Sequence, residues 1–162
     1  MNQSLVGVGA IIALLVIIVG GAVWMDGSQS RKYEAMTSRE MAFLCITHTN
    51  LALHIHPELT LLINGEKQAM PANIGITDTC MHTLHTHDDT GKIHIEGPIV
   101  REFVLGDFFA VWDMPFSKDQ ILDHKADATH KITMTVNGEA VETFENTILR
   151  DHDEIVVSYS TK

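Results

Sequence analysis

The sequence predicts an α+β domain on a mostly antiparallel or mixed β-sheet with one or two short helices, preceded by a single N-terminal transmembrane helix. Three observations lead there. Two β-rich runs turn at Asn-Gly pairs, Asn64-Gly65 and Asn137-Gly138; helical spacing of apolar residues is confined to a short stretch near Leu105; and residues 5–25 (LVGVGAIIALLVIIVGGAVWM) carry no charge. Strands that outnumber clustered helices are the mark of an α+β architecture.

At 1.5 Å per residue, residues 5–25 make roughly 30 Å of helix, the thickness of a bilayer's hydrocarbon core. A core helix keeps polar positions on one side, and this run has none. Cleavable signal peptides normally carry a basic n-region and a shorter apolar stretch. Met-Asn-Gln-Ser supplies no basic residue, so an uncleaved anchor over residues 1–25 is expected, with a signal peptide as the alternative. Arg31, Lys32 and Arg39 follow the run and no Lys or Arg precedes it, which leans the domain inward by the positive-inside rule. Residues 26–40 read as a polar linker turning helical near Tyr33 to Met41. Residues 41–162 make a soluble domain large enough for one core.

The formal net charge of −10 falls in the segment after the anchor. So acidic a domain repels nucleic acid and anionic headgroups, which leaves cations as natural partners. The two cysteines, Cys45 and Cys80, are too few for a disulfide scaffold. One bridge, a soft metal ligand and buried thiols all remain open for them.

The elements follow in order. Asn-Gly tolerates positive φ at both turn centres, so Glu58–Met70 and Lys131–Thr143 each read as a hairpin. The shared pattern suggests a weak internal repeat. Gly91-Lys-Ile-His-Ile-Glu-Gly-Pro is a short strand between breakers, and Asp88-Asp89-Thr90-Gly91 a turn with Asp88 either capping a backbone group or hydrogen-bonding a ligand histidine. Leu105 to Asp113 is helical, with Phe108, Val111 and Trp112 on one side. Ser117 is placed to cap a second short helix, Lys118 to His124. Asp153 to Ser160 closes the domain as a strand.

Ten histidines carry the chemistry, seven of them between His48 and His94. Neutral imidazole is the commonest transition-metal donor at physiological pH. Side chains alternate along a strand, so in Leu53-His-Ile-His-Pro-Glu the residues His54, His56 and Glu58 face one way and Leu53, Ile55 and Leu59 the other. His85 and His87 repeat the His-x-His spacing, and His94 with Glu96 repeats it with a carboxylate. Crowded imidazoles without a cation suffer desolvation and, when protonated, mutual repulsion; a metal removes both. His48 and His82 fit either a site or a surface, whereas His124, His130 and His152 read as solvated. Zinc, copper, iron and nickel all accept such donors, and the neighbouring Cys80 and Met81 tilt the choice toward copper.

Several blocks are familiar: His54-Ile-His56, Leu62-Ile-Asn-Gly65, Pro71-Ala-Asn-Ile-Gly-Ile76, Leu84-His-Thr-His-Asp-Asp-Thr-Gly-Lys-Ile-His-Ile-Glu-Gly-Pro98 and Leu105-Gly-Asp-Phe-Phe-Ala-Val-Trp112. Together they resemble a family of small, membrane-anchored, histidine-rich proteins of archaea, cyanobacteria and environmental bacteria. The resemblance implies copper binding through His56, His85, His87 and His94, with His54 the next candidate. It also implies a single-pass protein of the cell membrane whose domain lies outside the cytoplasm. Position 58, where that family commonly has a third histidine, is Glu here, which bears on ion count and coordination.

Three functional classes remain. The first is a copper-binding protein for carriage, buffering or sensing, with an unidentified protein partner for copper transfer. The second is a metalloenzyme, a copper redox enzyme or zinc-type hydrolase with Glu58 or Glu96 as base. The third is a metal-free interaction module.

Overall fold

The computed structural model describes residues 29–162. The anchor read over residues 1–25 lies outside them, and no helix among the described residues is long and apolar enough to cross a membrane. Residues 29–35 are helical. A compact unit then runs from Thr37 to Lys162.

This unit opens with a short helix, Ser38–Ala42, set off by a reciprocal cap. Thr37 Oγ1 accepts from the Glu40 N–H at 3.1 Å, and the Thr37 N–H donates back to the Glu40 carboxylate at 2.8 Å. Expected helicity between Tyr33 and Met41 is therefore broken at Thr37.

The strands are short. In chain order they are β1 (Cys45–Ile46), β2 (Leu53–Ile55), β3 (Glu58–Ile63), β4 (Glu66–Lys67), β5 (Met81–His82), β6 (Leu84–His85) and β7 (His94–Gly97). There follow β8 (Phe116–Ser117), β9 (Gln120–Ile121), β10 (His124–Lys125), β11 (His130–Val136), β12 (Glu139–Ala140) and β13 (Glu154–Thr161).

The largest sheet has the order β12-β11-β13-β3-β4, with β13 and β3 parallel and the other pairs antiparallel, a mixed sheet. Both Asn-Gly hairpins form, one at each edge. Asn64 and Gly65 have φ of 52° and 86°, and Asn137 and Gly138 have φ of 53° and 82°, as a tight turn with two left-handed centres requires. Leu59 and Leu61 of β3 and Ile155 and Val157 of β13 alternate into the core. There they share the interior with Phe103, Phe108 and Phe109, the last two from the helix Leu105–Val111. Trp112 caps that helix and stacks on Phe109.

One expected element is wrong. Lys118 to His124 is not a helix but part of a small antiparallel meander, β8-β9-β10. Ser117 Oγ accepts from the Asp119 N–H at 3.2 Å, closing a local turn instead of capping a helix. Leu122 then takes a φ of 53°, which ends any helical path.

A second difference positions the site. The run Leu53 to Ile63 is not one strand. It breaks at His56-Pro57, so β2 joins a separate three-stranded sheet, β2-β7-β6, while β3 joins the large one. Proline has no N–H and restricts the residue before it, which makes this a natural transfer point. The segment before β7 straps the two sheets together: the Leu59 N–H donates to Gly91 O and the Ile93 N–H to Pro57 O, both at 2.9 Å.

Gly91 has a φ of +103°, and a Cβ there would run into the Leu59 carbonyl. Gly91→Ala is accordingly expected to lower stability by about 1–3 kcal/mol, read from the urea midpoint. Gly65→Ala, strained in φ but facing open space, should lose less.

Candidate metal centre

The three-stranded sheet turns the histidine spacings into a cluster. In its register His54 lies opposite Glu96, and His85 lies opposite His94. Because alternate residues share a face, His54 with His56, His94 with Glu96, and His85 with His87 are brought to the same side. Ring centroids are 4.6 Å apart for His54–His56, His56–His94 and His87–His94, 4.7 Å for His85–His87 and 5.3 Å for His85–His94. All five residues expected as ligands thus assemble in one place.

They do so as two overlapping triads. One ligand nitrogen from each of His54, His56 and His94 lies within 4.8 Å of the other two, and the same holds for His85, His87 and His94. Two nitrogens each about 2.0 Å from one ion sit roughly 2.8–3.3 Å apart. His85 Nε2 and His87 Nε2, at 3.2 Å, already have that separation. The described residues therefore contain histidine groups able to hold a metal ion.

Hydrogen bonds select the nitrogens on offer. His85 Nδ1 donates to the His82 carbonyl at 2.9 Å, which leaves Nε2 as the lone pair facing His87. His48 Nδ1 donates to Glu96 Oε2 at 2.9 Å, and His54 Nε2 lies 3.2 Å from Glu96 Oε1. A proton held between His54 and that carboxylate leaves Nδ1 free, the carboxylate–histidine–metal arrangement. Glu96 is only 1% exposed, so its oxygens face the imidazoles and not bulk water. That makes it an orienting residue rather than the general base considered from sequence; Glu58 is exposed. His94 Nδ1 is buried without a hydrogen-bond partner, 3.8 Å from Glu96 Oε1.

Sequence reasoning left His48 undecided and gave Glu96 no orienting role. His48 belongs to the cluster, with its ring 6.1 Å from His87 and 6.5 Å from His85. Its place comes from a loop contact far along the chain, for which no local spacing exists. His82 stands elsewhere, its ring edge-on to Phe43, although its carbonyl steers His85. Cys45 and Cys80 form a disulfide across the β1–β5 pair. Bridged sulfur supplies no thiolate, so Cys80 is no ligand and its tilt toward copper is lost. His124 and His130 are not freely solvated, because both rings pack on Tyr159 with centroids 5.0 Å away. Asp88 does cap the turn, accepting from the Thr90 N–H at 3.0 Å.

A cleft of about 380 Å³ opens onto the cluster, lined by His56, Glu58, His87, Asp88, Lys92, His94 and His152. Compared with family models, curated proteins and solved structures, the chain matches none.

Burial favours the neutral form of His56, His85 and His94, the form that coordinates metal. It pushes His85 from the ordinary 6.5 down to about 4 against the opposing effect of the His82 carbonyl. Burial, then the charges of His56 and His87, does the same to His94, also to about 4. His56 is lowered chiefly by burial. Between these values and 6.5 the unfolded chain takes up protons that the folded chain refuses, so stability rises with pH there. The metal-free protein should hold this contribution in full above about pH 6.5 and lose it as pH falls toward 4. Thermal unfolding across that interval checks it; a flat melting temperature would remove the case for buried neutral imidazoles.

Proposed function

We propose that the chain is a copper-binding protein that carries, buffers or senses the ion at a membrane, using the two triads built from His54, His56, His85, His87 and His94. The observation that carries this is the convergence of these five imidazoles around His94. Zinc is the alternative ion. Copper is favoured because Cu(II) stands highest among divalent ions for nitrogen donors. The histidine blocks resemble those of a copper-binding family, which points the same way. The Cys45–Cys80 disulfide suits an oxidising compartment, in keeping with a domain held outside the cytoplasm by an N-terminal anchor. A copper-transfer partner follows from the carrier role and is unidentified.

A second reading has one observation in its favour. The cleft gives access to His56, His87 and His94 with Glu58 and Asp88 beside them. Three-histidine coordination with an open position also suits a metalloenzyme that activates a small molecule. Activity that tracks metal occupancy marks the enzyme; copper that passes to a chelator without turnover marks the carrier.

The full chain, purified in mild detergent, should retain copper after loading and desalting, measured by elemental analysis. His85→Ala is expected to weaken copper binding by tenfold or more in a chelator competition, and retention at the unaltered level counts against the triads. Glu96→Gln removes one oxygen acceptor while keeping the shape, and is expected to cost about 10–100-fold in affinity.

A further inference from the structure

Granting the metal-binding reading, we propose that the cluster holds two ions instead of one, joined by His94 as a bridging imidazolate. His94 belongs to both triads, and no group of four or five mutually close donors occurs among the described residues. The sheet order β2-β7-β6 explains this. His54 and His56 come from the β2 side, His85 and His87 from the β6 side, and His94 from the strand between them. Adjacent strands are about 4.8 Å apart, which separates the outer pairs by roughly 10 Å at the backbone. Nitrogens bound to one ion at about 2.0 Å can be no more than ~4 Å apart. As the rings stand, no single point is within reach of donors from both outer pairs, and each pair meets only His94.

The central ring is suited to sharing. Imidazole has two nitrogens directed to different sides, and the His94 ring lies 4.6 Å from His56 and 4.6 Å from His87. Its buried Nδ1 has no protein partner, whereas His85 has Nδ1 committed to a carbonyl and only Nε2 to offer. His94 makes no hydrogen bond through Nδ1 and is the residue common to both triads. The first ion takes the lone pair of neutral His94. The second displaces the remaining N–H proton, which leaves to solvent, and the ring becomes an anion between two cations. The buried Glu96 carboxylate and the cleft carboxylates Glu58 and Asp88 lie nearby to offset the added charge. The cleft touches His56 from one triad, His87 from the other and His94 itself. That leaves open positions on both ions facing one space, where water or another small oxygen ligand fits.

The test is copper(II) titration of the full chain, desalting, elemental analysis and quantitative EPR. The expected result is two coppers per chain with most of the EPR intensity lost through magnetic coupling. The double variants His54→Ala/His56→Ala and His85→Ala/His87→Ala should each keep one copper and regain full intensity for it. Circular dichroism confirms that each variant is folded, and the unaltered chain alone decides stoichiometry and coupling. One copper per chain overturns the bridge but leaves the metal-binding reading standing, as do two coppers with undiminished, uncoupled spectra. Retention of no copper overturns both.

Discussion

The register of the three-stranded sheet is the constraint on which the site depends. With Leu84 and Ile55 both opposite Ile95, the neighbouring pairs His85–His94 and His54–Glu96 have no choice of partner. Leu84 and Ile95 are fully buried, and so, on the other face, is His85, with Glu96 nearly so. The small sheet thus separates two interiors, one apolar and one polar. A slip of one residue exchanges them, driving imidazoles and a carboxylate among leucines and isoleucines. That penalty, several kcal/mol for each unsatisfied polar group, fixes the register more firmly than the few backbone hydrogen bonds of such short strands.

The polar interior is held by satisfied contacts on most of its members and by burial on the rest. Glu96 receives His48 and approaches His54 and His94, so a single carboxylate orients rings from a loop and from two strands. The His82 carbonyl does the same for His85, and His82 is in turn paired with Cys45 across β1 and β5, next to the disulfide. A covalent link thereby reaches a candidate ligand, His85, through two short steps. Such orientation matters because neutral imidazole binds only through the nitrogen that carries no proton. The fold decides which nitrogen that is before any ion arrives.

How much of this was legible depended on whether the determinant was local. The Asn-Gly turns, the helix at Leu105 and the face shared by His54 and His56 rest on residues within a few positions of one another. They read correctly. Ser117 misled because a hydroxyl that caps a helix equally closes a turn, and only the positive φ of Leu122 distinguishes them. The break at Pro57 was written in the sequence, but two sheets competing for β2 and β3 were not. His48 and the cysteine pair were beyond local reasoning altogether, being settled by contacts across 48 and 35 positions. The division of five imidazoles into two triads had the same origin, since spacing gives the pairs but only strand order gives their separation.

Three-nitrogen groups beside a cleft set this cluster apart from a structural metal site. Structural zinc centres are closed four-ligand cages, and their domains unfold without the metal. Here the fold has other supports: a mixed sheet with a packed aromatic flank, a strap between sheets and a disulfide. Each triad supplies three nitrogens and faces a cleft. An ion held by one of these three-residue groups in an already built frame would keep a position for an incoming ligand, whether a chelating partner or a reacting molecule. With His56, His85 and His94 kept neutral by burial, each of these rings already has a lone pair free for an ion.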